Sequence, residues 1–469
     1  MNRPSRCARA VRTLATLLVV AAPARGADGD FLGRGIDAFD LGGADLDSGT
    51  AVVVQPDGKV IVAGTAVTGA ASHTLALARF LPDGGLDPTF GVAGESVNPF
   101  NEPNNLAAVA LHLLPDGRIL VACNFDFGTA DQDFYVGRLL ESGAPDPSFG
   151  GGGFGARLVP FDLGGDLTDT LSAMTLDRNG RILLAGSVDI SATDIDFGVV
   201  RLTSEGLLDN DFSQDGKTTL AIATLDFGLA IAYHTTGIVV GGASWNTDLG
   251  GHFDLALARL QGNGDIDGNF GALGSVTVPW ALGGTNNDFA WALGIWPDGE
   301  IVVAADIAIG TSQWMYLLSN FSASGTLLDS VLGTFCGSLS SPPCSGTAQD
   351  SPRALLLQGD GKLLVAGFGP GPAGDADFGL ARWTRDLFPD PGFGGGDGTT
   401  TYDFDAYGGL TDTGNAMAFD RDGRIVVAGS TEWNGLDTDF AWARFDSSYI
   451  FADSFDWPGG TARWSATVP

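Results

Sequence analysis

The sequence predicts an all-β chain folded as a closed seven-bladed β-propeller of four-stranded antiparallel blades, and three observations carry that expectation. A turn glycine flanked by apolar runs, preceded by Asp in five copies and by Asn in a sixth, recurs seven times, an Arg closing an apolar strand recurs in step with it, and no amphipathic helix pattern separates the copies. A fixed period near sixty residues marks a repeat architecture rather than two or three unrelated domains.

The first marker is Pro56-Asp-Gly-Lys-Val-Ile-Val-Ala-Gly64, which returns from Pro115, Arg178, Pro297, Gly359 and Arg421, with a degenerate copy at Thr236–Gly242. Its turn glycines, Gly58, Gly117, Gly180, Gly237, Gly299, Gly361 and Gly423, are 57 to 63 residues apart. The second marker is Arg79, Arg138, Arg201, Arg259, Arg382 and Arg444, with Asn320 in that place in the fifth copy. Asp follows five of these arginines at +8 (Asp87, Asp146, Asp209, Asp267, Asp390) and Phe at +11 (Phe90, Phe149, Phe212, Phe270, Phe393).

Asp-Gly between apolar runs predicts a hairpin of strands a and b with a type I′ turn, which needs positive φ at both central positions. Runs such as Val60-Ile-Val-Ala63 are continuously apolar, so both faces of strand b should be buried. Strand c ends at the Arg, and strand d follows the Phe-Gly turn. Four strands per unit with both faces covered describe propeller blades. Asp28-Gly-Asp-Phe31 matches the Asp-x-x-Phe element, so Ile36–Asp40 reads as a lone d strand that completes the seventh blade and closes the ring. The propeller is expected over residues 28–447, with residues 448–469 as a C-terminal extension.

The motifs Pro56–Gly64, Leu75-Ala-Leu-Ala-Arg-Phe80 and Leu86-Asp-Pro-Thr-Phe-Gly91 resemble the delta-60 repeat family, exported bacterial β-propeller repeats. The resemblance spans about residues 28 to 447. It implies a propeller in a secreted or surface location and no transferable enzymatic activity. Copies four and five depart most, with His234-Thr-Thr-Gly237 at the turn and no Arg or Phe-Gly marker around Asn320.

Composition bounds the function. With 56 Asp+Glu against 24 Lys+Arg in 469 residues the formal charge is -32, yet the mean hydropathy is positive. An acidic disordered chain would lack such a core, and a nucleic-acid partner would need the opposite charge. Arg3, Arg6, Arg9 and Arg12 precede the apolar run Thr13–Ala22 and the small residues up to Gly26, the pattern of a signal peptide over residues 1–26 and of an exported protein. That run is too short for a membrane span. Cys336 and Cys344 flank a short insert and are expected to form a local disulfide in an oxidising compartment.

The strand arginines read as structural, one ion pair or carbonyl bond per blade, rather than as a ring of anion receptors. Asp177-Arg-Asn-Gly180 and Asp420-Arg-Asp-Gly423 imitate the start of a calcium loop but lack its distal ligands, so calcium is a minor expectation and no cofactor is implied. Loops before strands a and c should share one face. They carry Asp131 and Asp133, Asp194 and Asp196, Trp245, Trp314, Asp375 and Asp377, and Trp433, Asp437 and Asp439. Variable loops on a rigid scaffold are where binding usually resides. No catalytic residue is assigned, because neither His spacing nor a nucleophile elbow supports one. The expected function is a monomeric, non-enzymatic binding or scaffold module for a protein or carbohydrate ligand. A polysaccharide hydrolase or lyase using channel-mouth carboxylates is the alternative.

Overall fold

The computed structural model describes residues 36–39, 47–69, 72–102, 105–128, 131–164, 168–247, 251–280, 287–310, 313–335, 349–370, 375–394, 396–404, 411–432 and 438–445. Residues 1–26, read as a signal peptide, residues 448–469, read as an extension, and Cys336, Cys344, Trp433 and Asp437 lie outside the described residues. Within them the chain forms seven four-stranded antiparallel sheets, the blades of a β-propeller, and no helix. The innermost a strands are Ser48–Val54, Asn105–Leu113, Thr170–Leu176, Asp226–His234, Asp288–Ile295, Ser351–Leu357 and Asp412–Phe419 of blades 1 to 7. In blades 1 to 6, strands b, c and d follow outward in chain order.

Seven apolar clusters hold the ring, each built from two adjacent blades. One joins blade 7 to blade 1, through Val426, Ala428 and Trp442 against Val52, Val60 and Val62. Each sheet is therefore buried on both faces, which is why its b strand carries a continuous apolar run such as Val60–Ala63 or Ile301–Ala305. The outer strand of the seventh sheet is Ile36–Phe39, paired antiparallel with Thr438–Phe445 in the register Ile36↔Ala443 to Phe39↔Phe440.

The a–b turn differs from the type I′ expectation. In Gln55-Pro-Asp-Gly58 the Gly58 N–H donates to the Gln55 carbonyl, and only the glycine has positive φ, at 86°. This is a type I turn closed by a left-handed glycine. Pro suits its second position and Gly its fourth.

The strand-c arginines form a bracket. Nε of Arg79, Arg138, Arg201, Arg259 and Arg382 donates to the Asp eight residues on, at 2.6–2.9 Å. Each guanidinium lies 4.7–5.0 Å over the Phe at +11. Nη1 of Arg79, Arg138, Arg201 and Arg259 reaches the next blade, donating to the carbonyls of Glu141, Ser204, Gly262 and Ala323. Arg444 does the same across the closure, to Pro82 at 2.7 Å, and Asn320 substitutes with its Nδ2, to Arg385 at 2.8 Å. Lys59, Arg118, Arg181 and Lys362, just after the turn glycines, bring a second cation to Asp87, Asp146, Asp209 and Asp390. Burial would raise the Asp87 carboxyl, but Thr89, Arg79 and Lys59 outweigh it and hold it at about 2.

Two consequences are measurable. Arg138→Met leaves Asp146 buried with a weakened partner and should cost about 3–5 kcal/mol in urea unfolding, with part recovered by adding Asp146→Asn. An unchanged midpoint would show the bracket to be energetically idle. If the Ile36–Phe39 strand latches the ring, deleting residues 28–42 lowers the melting temperature steeply. A mild effect would assign closure to the blade faces alone.

Candidate functional site

The face bearing the b–c hairpins and d–a loops concentrates carboxylates along the seams between blades. Asp47, Asp169, Asp226, Asp288, Asp350 and Asp412 stand at the start of six innermost strands, all 5% exposed or less. Five of them accept backbone N–H groups from the preceding loop, from Phe161, Ile222, Trp280, Phe335 and Phe404 at 2.6–3.0 Å. They therefore tie the loop to the channel wall.

A second carboxylate from the previous blade approaches at four of these seams. It is the Asp five residues before the strand-c Arg. Asp133, Asp196, Asp254 and Asp377 are all buried, whereas Asp131, Asp194, Asp375 and Asp439 are half-buried. Burial pushes Asp133 up to about 7, with the charges of Asp131, Asp169 and Asp162 adding to it. Burial likewise raises Asp288 to about 8, helped by Asp254, and Asp196 to about 6, helped by Asp194 and Asp226. At the seam between blades 1 and 2 both members are replaced, by Thr74 and Leu106. Asp377, Asp403 and Asp412 bring carboxylate oxygens within 4.8 Å of one another, so these three could hold a metal ion. The Asp177 and Asp420 carboxylates are instead engaged by their own turns, by Arg181 and Arg424 and by backbone N–H groups.

An aromatic row crosses the same face over blades 4 and 5. Phe227 and Trp245 lie 5.2 and 4.9 Å from Phe253, Phe253 lies 5.6 Å from Phe289, and Phe289 lies 6.2 and 6.5 Å from Trp291 and Trp314. All six are half-buried. Trp291 and Arg353 occupy the bulge that interrupts the a–b register in every blade, where Thr50, Val109, Ser172, Leu229 and Asn415 stand elsewhere. Thr50 and Asn415 use that position to hydrogen-bond the neighbouring blade. Trp291 instead takes the Arg353 guanidinium over its ring at 3.9 Å, with Phe368 at 5.4 Å.

Asp306 completes the arrangement. Its Oδ2 accepts from Trp291 Nε1 at 2.6 Å and Ser351 Oγ at 3.0 Å, while its buried Oδ1 has no partner. Burial pushes its carboxyl up to about 7, against the opposing charge of Arg353. Phe289, Trp291, Asp306, Trp314, Ser351 and Arg353 line a cleft of about 220 Å³. The sequence reading reached Trp245 and Trp314 but missed Phe289, Trp291, Asp306 and Arg353. The available signal was the departure of the bulge residues from their small counterparts in other copies.

Among the described residues no helix is long and apolar enough to cross a membrane. Residues 55–90, 114–149, 178–212 and 237–270 match a family described as a domain of unknown function (DUF5122) beta-propeller. Among solved structures, the chain is similar to a protein of unknown function from Dyadobacter fermentans, at 11% identity over 88% of this chain and 99% of that one, with a TM-score of 0.46. It is also similar to the β-propeller domain of the Trilobed protease from Pyrococcus furiosus (11% identity, 85% and 96% covered, TM-score 0.41) and to a Bacillus subtilis arabinanase (13%, 60% and 96%, 0.32). Comparison with curated proteins finds no match.

The seam carboxyls fix a pH dependence. Asp169, Asp196 and Asp350 at about 6, Asp133 and Asp306 at about 7 and Asp288 at about 8 hold protons in the folded chain that the unfolded chain releases. Stability should therefore fall as pH rises from about 4 to about 8. Burial notwithstanding, the bracket hydrogen bonds and charges hold Asp87, Asp146, Asp267 and Asp390 low, so their contribution is lost at more acid pH. Urea midpoints should peak between about pH 4 and 5; a midpoint rising steadily to pH of about 8 would contradict the seam shifts. Calcium at the alkaline end should raise the midpoint if Asp377, Asp403 and Asp412 take the ion, and Asp403→Asn should abolish that rise.

Proposed function

We propose that this chain is an exported, non-enzymatic binding module whose working surface is the acidic, aromatic-bearing face. Half-buried rings spanning two adjacent blades carry the reading, because a row of aromatic side chains beside unsatisfied polar atoms is a receptor surface rather than a packing necessity. The opposite face has the charges of its strand-c arginines and +8 aspartates committed to the brackets, and among the described residues it supplies no comparable row. The Arg-rich start and short apolar run of residues 1–26 support the reading of export, and the surface has the form expected for a protein or carbohydrate partner.

A second reading has one specific support. Carboxyls standing near neutral pKa in an aromatic cleft have the protonation behaviour of acid–base catalysts, so a polysaccharide hydrolase or lyase is the alternative. Tryptophan fluorescence titrations with soluble glycans and peptides, run beside an assay for new reducing or unsaturated ends, separate the two. Binding without cleavage that is weakened by Trp314→Ala or Trp245→Ala is the expected result. Accumulating ends would transfer the chain to the enzyme reading, and silence toward every ligand class would remove the binding one.

A further inference from the structure

Deepening the binding-face reading on which it rests, we infer that the cleft between blades 5 and 6 is a saccharide subsite for neutral, polyhydroxylated sugars. Its polar groups come in complementary kinds. Asp306 Oδ1 is a buried acceptor with no partner, on a residue only 8% exposed whose other oxygen is fixed by Trp291 and Ser351. The Arg353 guanidinium is half-buried between Trp291 and Phe368, and its charge acts on Asp306. Its five N–H groups can only donate.

These groups sort the candidate ligands. An apolar ligand would leave Asp306 Oδ1 unsatisfied and strip water from a charged guanidinium, which costs more than the ring contacts return. A metal ion would meet Arg353 at close range. An anion would meet Asp306 within a chain of formal charge -32. A cationic side chain, like the metal ion, would be repelled by the Arg353 guanidinium stacked on Trp291. A pyranose or furanose ring satisfies the whole set: one hydroxyl donates to Asp306 Oδ1, its neighbour accepts from Arg353, and the C–H face lies on the Trp314 or Phe289 ring. Phe253 and Trp245 extend the same row into blade 4, as successive units of an oligosaccharide would require. The volume of about 220 Å³ fits a single sugar ring rather than a chain, so the remaining units lie along the row.

The test uses the purified full chain with neutral cello-, manno-, xylo- and arabino-oligosaccharides, an anionic oligogalacturonate and a basic oligolysine, read by fluorescence titration and saturation-transfer NMR. Asp306→Asn keeps an oxygen for Trp291 and Ser351 but turns the free acceptor into a donor. It and Arg353→Gln should weaken neutral oligosaccharide binding by about tenfold or more with melting temperature held. Trp314→Ala, at a half-exposed position, serves as the folding-neutral variant and should weaken it similarly. Neutral oligosaccharide binding untouched by all three variants overturns the subsite while leaving the binding face standing. Binding of oligogalacturonate or oligolysine alone overturns the ligand class. Absence of any binding removes both this inference and the reading beneath it.

Discussion

The fold depends on a cation buried in strand c of six of the seven blades, with Asn320 standing in for it in blade 5. An isolated guanidinium at that depth would be costly, and the bracket offsets the cost by giving each nitrogen a separate task. Nε meets a carboxylate in its own blade, the π face meets a phenylalanine eleven residues on, and Nη1 crosses to a carbonyl of the next blade. Because the last contact is between blades, the interaction that stabilises one unit also sets the angle to its neighbour. Seven such angles must sum to a closed ring, and Arg444 makes the final one onto Pro82. A buried ion pair is weak evidence for net stability. Here it is better regarded as the device that fixes the geometry, with the seven apolar clusters supplying the cohesion.

This division of labour explains why the two faces differ. On the bracket side, basic residues after the turn glycines and the +8 aspartates neutralise one another, leaving little charge to spend on a ligand. Acidity is displaced to the other side, where aspartates meet in pairs across the seams and hold protons near neutral pH. Five of the strand-opening carboxylates are individually explained by the loop N–H they accept. Their collective effect is a face whose charge depends on pH and whose loops are pinned to the channel wall, a rigid platform on which exposed rings keep their positions.

The architecture was legible because repetition converts weak local signals into a strong one. A single Asp-Gly turn says little, but seven turn glycines at one spacing, with Arg, Asp and Phe in fixed register, specify blade count and strand order. The turn type was misread since the Asp-Gly pair alone does not reveal that Pro56 starts a type I turn and that only Gly58 needs a left-handed φ. The candidate site was half legible. Trp245 and Trp314 stand in recognisable loops, but Trp291 and Arg353 lie within strands at a bulge, and a bulge leaves no composition signal of its own. Asp133, Asp196 and Asp377, counted as surface candidates, are buried at the seams, because proximity to a loop in sequence does not determine whether a side chain turns outward.

A repeat protein also supplies its own control. At the bulge, Thr50 and Asn415 carry small polar side chains that stitch adjacent blades, and at the matching b-strand position Thr65, Asn124 and Ser430 do the same. Blade 5 departs at both places together, with Trp291 and Asp306, and blade 6 answers with Arg353. The stitch survives, since Asp306 still receives Ser351, so folding alone asks for nothing more than the serine or threonine found elsewhere. What the larger, charged set adds is an unsatisfied oxygen, a stacked cation and an open ring surface. A scaffold requirement met at higher desolvation cost than its sister copies pay is the physical mark of a position serving something outside the fold.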